Sequence, residues 1–169
     1  TGRLKVNWQL AENTKIKFLI SQVDLNDPAD IWTIDGSLNT LSDRPGMDSQ
    51  KTNSYGLKVF HSFDGFELQS YTSSTDTNVI FSYDADWGNT DSHFPYVYDY
   101  FSETLRDRKS FNQEFRAVSD SADFQKNSFF EWVIGANYLE LKESNLKKDD
   151  GLYGDPSDPY GPYASASAS

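Results

Sequence analysis

The sequence predicts an all-β chain: a portion of an antiparallel up-and-down transmembrane β-barrel, about six strands in three hairpins, with long loops. Three observations predict it. Apolar and polar residues alternate with period two through several runs, as a strand with one wet and one apolar side requires. Asn, Asp, Ser and Gly crowd the segments between those runs. Each hairpin has a short turn at one end, whereas the long irregular stretches all fall at the other. Loops of about thirty residues are foreign to compact soluble domains, but short turns on one side and long loops on the other describe an outer-membrane barrel.

The first run sets Leu4, Val6, Trp8 and Leu10 on one face and Arg3, Lys5, Asn7 and Gln9 on the other. Ala11-Glu12-Asn13 makes a tight turn. Ile16, Phe18 and Ile20 then continue an apolar face against Lys15, Lys17 and Ser21. From Asp24 to Lys51 the periodicity disappears into Pro, Gly and Asx residues, which is loop chemistry. Alternation returns at Tyr55, Leu57 and Val59, with Lys58 and His61 nearby. Asp64-Gly65 is a tight-turn signal, after which Phe66 and Leu68 begin a return strand with Glu67 and Gln69 opposite. A second irregular stretch covers Asp76 to Lys109, with Val79-Ile80-Phe81 extending the strand or crossing the loop.

The third hairpin spans Ser110 to Leu141. Phe111, Gln113, Phe115 and Ala117 share a face in its first half, and Phe130, Trp132, Ile134, Ala136 and Tyr138 in its second, with a polar turn between. The chain divides into a barrel portion, residues 1–155, and a loop or low-complexity tail, 156–169, whose Pro, Gly and Ser content builds no core.

Composition excludes several classes. There are no cysteines, so neither a disulfide framework nor thiolate chemistry is available. A net charge of -11 argues against nucleic acid as a partner, because phosphate neutralisation needs a Lys/Arg excess on some face. No run is long and apolar enough for a membrane helix and no signal-like segment opens the chain, although a barrel strand needs only about ten alternating residues. His61 and His93 have no metal-ligand spacing and no Ser sits in a nucleophile elbow, so no catalytic residue is assigned and an enzyme is not expected. Asp84-x-Asp86 and the acids from Asp149 to Asp155 offer oxygens without the spacing of a calcium loop, and neither a metal nor a cofactor is expected.

The strand Gln113-Glu114-Phe115-Arg116, followed after a polar turn by Trp132-Val133-Ile134-Gly135 and then Tyr138, resembles a hairpin of TonB-dependent outer-membrane receptors. With the hairpins upstream, the resemblance covers residues 2–155. It implies a bacterial outer-membrane receptor that takes up a scarce nutrient, whether iron chelate, cobalamin or carbohydrate. The implied partners are outer-membrane lipid, the plug and remainder of the same receptor, and the TonB complex. That family's barrel has about 22 strands and is closed by a plug. Neither a plug nor a TonB-contacting segment is recognisable, so an internal portion of the barrel is expected.

Within that frame Lys5, Lys17, Lys58, Glu67, Glu114, Arg116 and Glu131 are expected on the lumenal face, where water or a plug meets them. Trp8, Tyr55, Phe63, Phe66, Phe111, Trp132 and Tyr138 suit the aromatic girdles. Trp32, Tyr83, Asp84, Asp86, Trp87, Tyr96, Tyr98 and Tyr100, which set flat apolar faces beside acceptors in the long loops, are the expected ligand contacts. The alternative is a secreted β-sandwich holding a glycan on the same loops; it would bury Leu4, Val6, Trp8, Ile16, Phe18 and Ile20 in a protein core.

Overall fold

The computed structural model describes residues 1–30, 32–119, 130–158, 161 and 163–168. Seven strands form one sheet in sequence order: β1 (Gly2–Ala11), β2 (Thr14–Pro28), β3 (Met47–Ser62), β4 (Phe66–Asp84), β5 (Val97–Ser119), β6 (Val133–Gly154) and β7 (Tyr163–Ala168). β1 to β6 are the three expected hairpins. The order is linear, with β1 and β7 as its ends, so the sheet is not closed into a barrel among the described residues.

The strands run further than the alternation indicated. β2 extends to Pro28 and β3 starts at Met47, which shortens the expected loop from Asp24 to Lys51; β4 and β5 likewise invade the stretch from Asp76 to Lys109. β6 continues to Gly154, and the expected tail carries β7, paired antiparallel with β6 from Tyr153↔Tyr163 to Lys148↔Ala168. The cause is pairing. A polar segment with no alternation of its own is held extended when a neighbouring strand satisfies its backbone N–H and C=O groups. β5 has 23 residues and β6 has 22, well beyond the ten or so that cross a bilayer.

Contacts divide the chain into two units, each described by itself. The first comprises Thr1–Val23, Thr52–Thr77 and Arg108–Lys142. Here β1 pairs with β2 so that apolar residues oppose apolar ones, Leu4↔Ile20, Val6↔Phe18 and Trp8↔Ile16, with a register shift between Gln9 and Ala11 at the turn. The Gln9 amide donates to the Ala11 carbonyl at 2.7 Å across that irregularity. The Asp64-Gly65 turn is closed by Phe63 N–H to the Phe66 carbonyl at 2.8 Å, with Gly65 at φ 85°, where a Cβ would be unfavourable. Ser119 and Trp132 are joined by N–H of Ser119 to the carbonyl of Trp132 and by N–H of Trp132 to Ser119 Oγ, both 2.9 Å. The polar turn expected between them, 120–129, lies outside the described residues.

Among the described residues nothing covers the apolar face. Trp8 is 55 % exposed, Ile134 is 68 % exposed, and Ala29 is the only buried hydrophobic residue among those described. One sheet with its apolar residues bare lacks the facing sheet that a sandwich needs to bury Leu4, Val6 and Trp8. The exposed strip on β6 and just before it, Trp132 to Tyr138, spans about 20 Å at roughly 3.4 Å per residue. Beyond it the same face turns ionic, with Lys142 Nζ 2.7 Å from Glu140 and, between β4 and β5, Lys109 Nζ 3.3 Å from Asp76. At the turn end sit rings: Phe63 on Phe66 at 4.8 Å, and Phe66 near Trp132 at 6.2 Å. Phe111 and Tyr138 meet at 6.4 Å towards the other end. His61 belongs to the turn end, sharing a 2.8 Å hydrogen bond with Thr14 Oγ1 and an edge contact with Phe63.

The opposite face is polar and partnered. Lys58 Nζ lies 4.9 Å and Arg116 Cζ 5.4 Å from the centre of the Tyr71 ring, and Lys17 Nζ lies 5.2 Å from that of Phe60. Tyr71 donates to Gln69, whose amide donates to Glu67, while Arg116 pairs with Glu114. The expected lumenal residues Lys17, Lys58, Glu67, Glu114 and Arg116 therefore gather around two rings, and Lys5 joins their face through its pairing with Leu19. Glu131 lies two residues before the start of β6 at Val133 and is exposed.

One glycine of this unit is set by close approach. A Cβ on Gly135 would stand 2.7 Å from the Phe115 carbonyl oxygen. Gly135→Ala is expected to lower stability by about 1–3 kcal/mol through a forced backbone shift; unchanged denaturant unfolding in detergent would refute this.

Candidate functional site

The second unit comprises Asp24–Lys51, Asn78–Asp107 and Glu143–Ser169. Its site is built by two connections, 29–46 between β2 and β3, and 85–96 between β4 and β5. The first is laid against β4 at Gly46, where a Cβ would fall 2.2 Å from the Ser82 carbonyl oxygen. Only glycine lets the backbones approach so closely. Gly46 N–H donates to Asp30 at 2.6 Å and Met47 N–H to Ser82 Oγ at 3.1 Å, so this contact is hydrogen-bonded on both sides. Arg44 clamps the same connection. Its guanidinium reaches Asp99 at 3.2 Å and Asp150 at 2.6 Å and lies 4.7 Å from the Phe101 ring centre.

The second connection turns around Asp86. This buried carboxylate accepts N–H of Tyr100 at 2.7 Å on one oxygen and N–H of Gly88 at 2.9 Å on the other. Between them Trp87 adopts φ 61°, a left-handed conformation that costs a bulky residue about 1–3 kcal/mol. The strain aims its indole at Trp32, with which it stacks at 5.6 Å and 21°.

Two clefts result. Trp32, Trp87, Phe81 and Tyr83, with Asp27 and Asp48, line one of about 540 Å³, a volume that suits a small ligand. Neither Asp27 nor Asp48 has a hydrogen-bond or ion-pair partner among the described residues. The second, about 510 Å³, is lined by His93, Tyr96, Tyr98, Tyr153 and Asp155. Tyr98 forms its hub, 5.2 Å from His93, 4.6 Å from Tyr100 and 6.3 Å from Tyr153.

The expected ligand contacts thus separate into two groups rather than one surface. Trp32, Tyr83 and Trp87 line the first cleft and Tyr96 and Tyr98 the second. Tyr100 backs Tyr98, with a Cβ on Gly151 falling 2.3 Å from its ring. Asp86 is spent on backbone amides. Asp84, 2 % exposed, accepts N–H of Asp86 at 3.3 Å on one oxygen, and its other oxygen has no partner among the described residues. Asp149 is taken by Ser102 and Lys147. Sequence reading missed Asp27 and Asp48, which fell within an apparently irregular stretch but sit at the ends of β2 and β3, and Tyr153, which β6 carries up to the second cleft.

Burial raises the Asp86 carboxyl above its ordinary value; the N–H groups of Tyr100 and Gly88 oppose this, and the Asp84 charge reinforces it. A raised folded pKa makes a stability contribution that is complete below the ordinary aspartate pKa and is lost as pH rises through the raised one. The stability of wild type minus that of Asp86→Asn, from amide exchange at Tyr100, is therefore expected to fall as pH rises through that value; a difference that grows with pH would contradict it. Arg44→Ala is expected to loosen residues 29–46 by about 1–2 kcal/mol, since its ion pairs are half-exposed and only its ring contact adds to them. Hydrogen exchange across 29–46 reads that change, and unaltered protection there would exclude the clamp.

Comparison with protein-family models, with curated proteins and with solved structures finds no match for this chain.

Proposed function

We propose that the chain is part of an outer-membrane β-barrel receptor that takes up a scarce nutrient through TonB-dependent transport. The observation that carries this reading is the bare apolar face of the first unit. Leu4, Val6, Trp8, Ile134 and Tyr138 are exposed in a sheet that pairs its backbone groups fully only along its length, and lipid is the solvent that stabilises such a face. Rings at both ends of the strip and charged pairs beyond it match the girdles and headgroup regions of a membrane barrel. The other face, with Lys17, Lys58 and Arg116 over Tyr71 and Phe60, suits a wet lumen. Among the described residues β1 and β7 each pair on one side only, and further strands of a larger barrel would satisfy their other edges.

The receptor part of the reading rests on the Gln-Glu-Phe-Arg and Trp-Val-Ile-Gly hairpin resemblance, and the clefts of the second unit supply the ligand entrance. The energy-coupling step through TonB rests on that resemblance alone. In this reading the ligand is an iron chelate, a cobalamin or a carbohydrate, recognised by flat rings beside carboxylates.

The chain purified without detergent is expected to be insoluble or aggregated, and to give a cooperative unfolding transition only in detergent or bilayer. A soluble monomer with a cooperative transition in plain buffer would sink the membrane reading. In the bilayer, Val6→Lys is expected to cost about 2–4 kcal/mol, as a cation on a lipid-facing strand does, whereas Asn7→Lys on the opposite face is expected to cost little. Equal effects at the two positions would count against a lipid face.

A further inference from the structure

The side chain of Asp84 is a buried acid of the second unit that its described neighbours satisfy only in part. It is 2 % exposed, and one of its oxygens has no hydrogen-bond partner among the described residues. A buried polar group left unpaired costs on the order of 1–3 kcal/mol, and more when charged. Asp84 lines a recess of about 10 Å³ together with Ser42, whose buried hydroxyl is likewise without a partner among the described residues. The recess holds one water-sized group. Trp32, Tyr83 and Trp87 line both this recess and the 540 Å³ cleft, so the two spaces adjoin.

The cleft adds a second acidic element. Asp27 and Asp48 line it without partners among the described residues, and no Lys or Arg is among its lining residues. Aromatic faces attract cations through the ring quadrupole, and carboxylates add Coulomb attraction in a desolvated setting. An anionic ligand would meet only repulsion. A neutral ring would stack on Trp32 or Trp87 but leave Asp84 unpaired.

From this geometry we infer that the cleft takes a primary organic ammonium ligand, its apolar body against Trp32, Trp87, Phe81 and Tyr83 and its –NH3+ group in the recess between Asp84 and Ser42. An ammonium has three donors and is about the size of a water molecule. Asp84 and Ser42 accept two of them, and Asp27 and Asp48 hold a negative potential over the cleft that draws the cation in. The inference rests on the receptor reading in treating this cleft as a ligand entrance, and it narrows the ligand class to those that carry a primary amine.

The test uses the whole chain folded in detergent, titrated with 2-phenylethylamine, its N-trimethylated form and 3-phenylpropanol, and followed by tryptophan fluorescence. Saturable binding of the primary amine is expected, weakened at least about tenfold by trimethylation, which removes the donors and overfills the recess, and at least as much in the neutral alcohol. Asp84→Asn keeps an acceptor for N–H of Asp86 and is expected to lose binding by a similar factor. Asp27→Asn with Asp48→Asn, which removes carboxylates without a hydrogen bond or ion pair among the described residues, is expected to weaken binding while leaving the unfolding transition in place. Equal binding of all three probes, no binding of any, or a saturable response to a neutral disaccharide alone overturns the inference. A chain that folds only in detergent yet binds no amine keeps the membrane reading and loses this one; a soluble chain that binds the amine does the reverse.

Discussion

The hydrogen-bonded ladder of one sheet is what the rest of this structure depends on. With Ala29 as the only buried hydrophobic among the described residues, side-chain burial within the chain contributes little, and the backbone pairing of neighbouring strands carries the order. That constraint explains the length of β5 and β6: once the first residues pair, polar segments such as Lys142 to Asp150 are held extended by their neighbours. It also explains why the apolar faces are bare. A single sheet presents two surfaces, and no second layer is described to cover either.

The two units use that ladder differently. In the first, period-two alternation separates an apolar surface from one where Lys17, Lys58 and Arg116 lie over the rings of Tyr71 and Phe60. In the second, polar side chains and backbone approaches take over the organising role. Gly46 against Ser82, Arg44 between Asp99 and Asp150, and Asp86 under Tyr100 and Gly88 fix the connections without an apolar core. The strained Trp87 is tolerable because Asp86 and Gly88 bracket it, and its stack on Trp32 follows from that local geometry.

Recognition in the second unit is correspondingly asymmetric. Its first cleft joins aromatic walls to carboxylates that have no partners among the described residues, whereas most neighbouring acids are committed: Asp99 and Asp150 to Arg44, Asp149 to Lys147 and Ser102, Asp86 to amides. Among the described residues, Asp27, Asp48 and one oxygen of Asp84 are left open.

What the sequence determined by itself was the element type and the faces. Alternation at Leu4, Val6, Trp8 and at Ile16, Phe18, Ile20 is a property of the chain alone, because side chains in a strand must point to opposite sides, and the pairing Val6↔Phe18 follows from it. The Asp64-Gly65 turn was legible for the same local reason. Strand ends were not legible, since Met47 to Lys51 and Lys142 to Gly154 become strand only through their neighbours' hydrogen bonds, which no local pattern encodes. Nor was the division of the loop aromatics into two clefts, or the idleness of Asp27 and Asp48 beside the committed Asp86. Those depend on which distant segments the ladder brings together, and on the few atoms, such as the missing Cβ of Gly46, that decide how closely they lie.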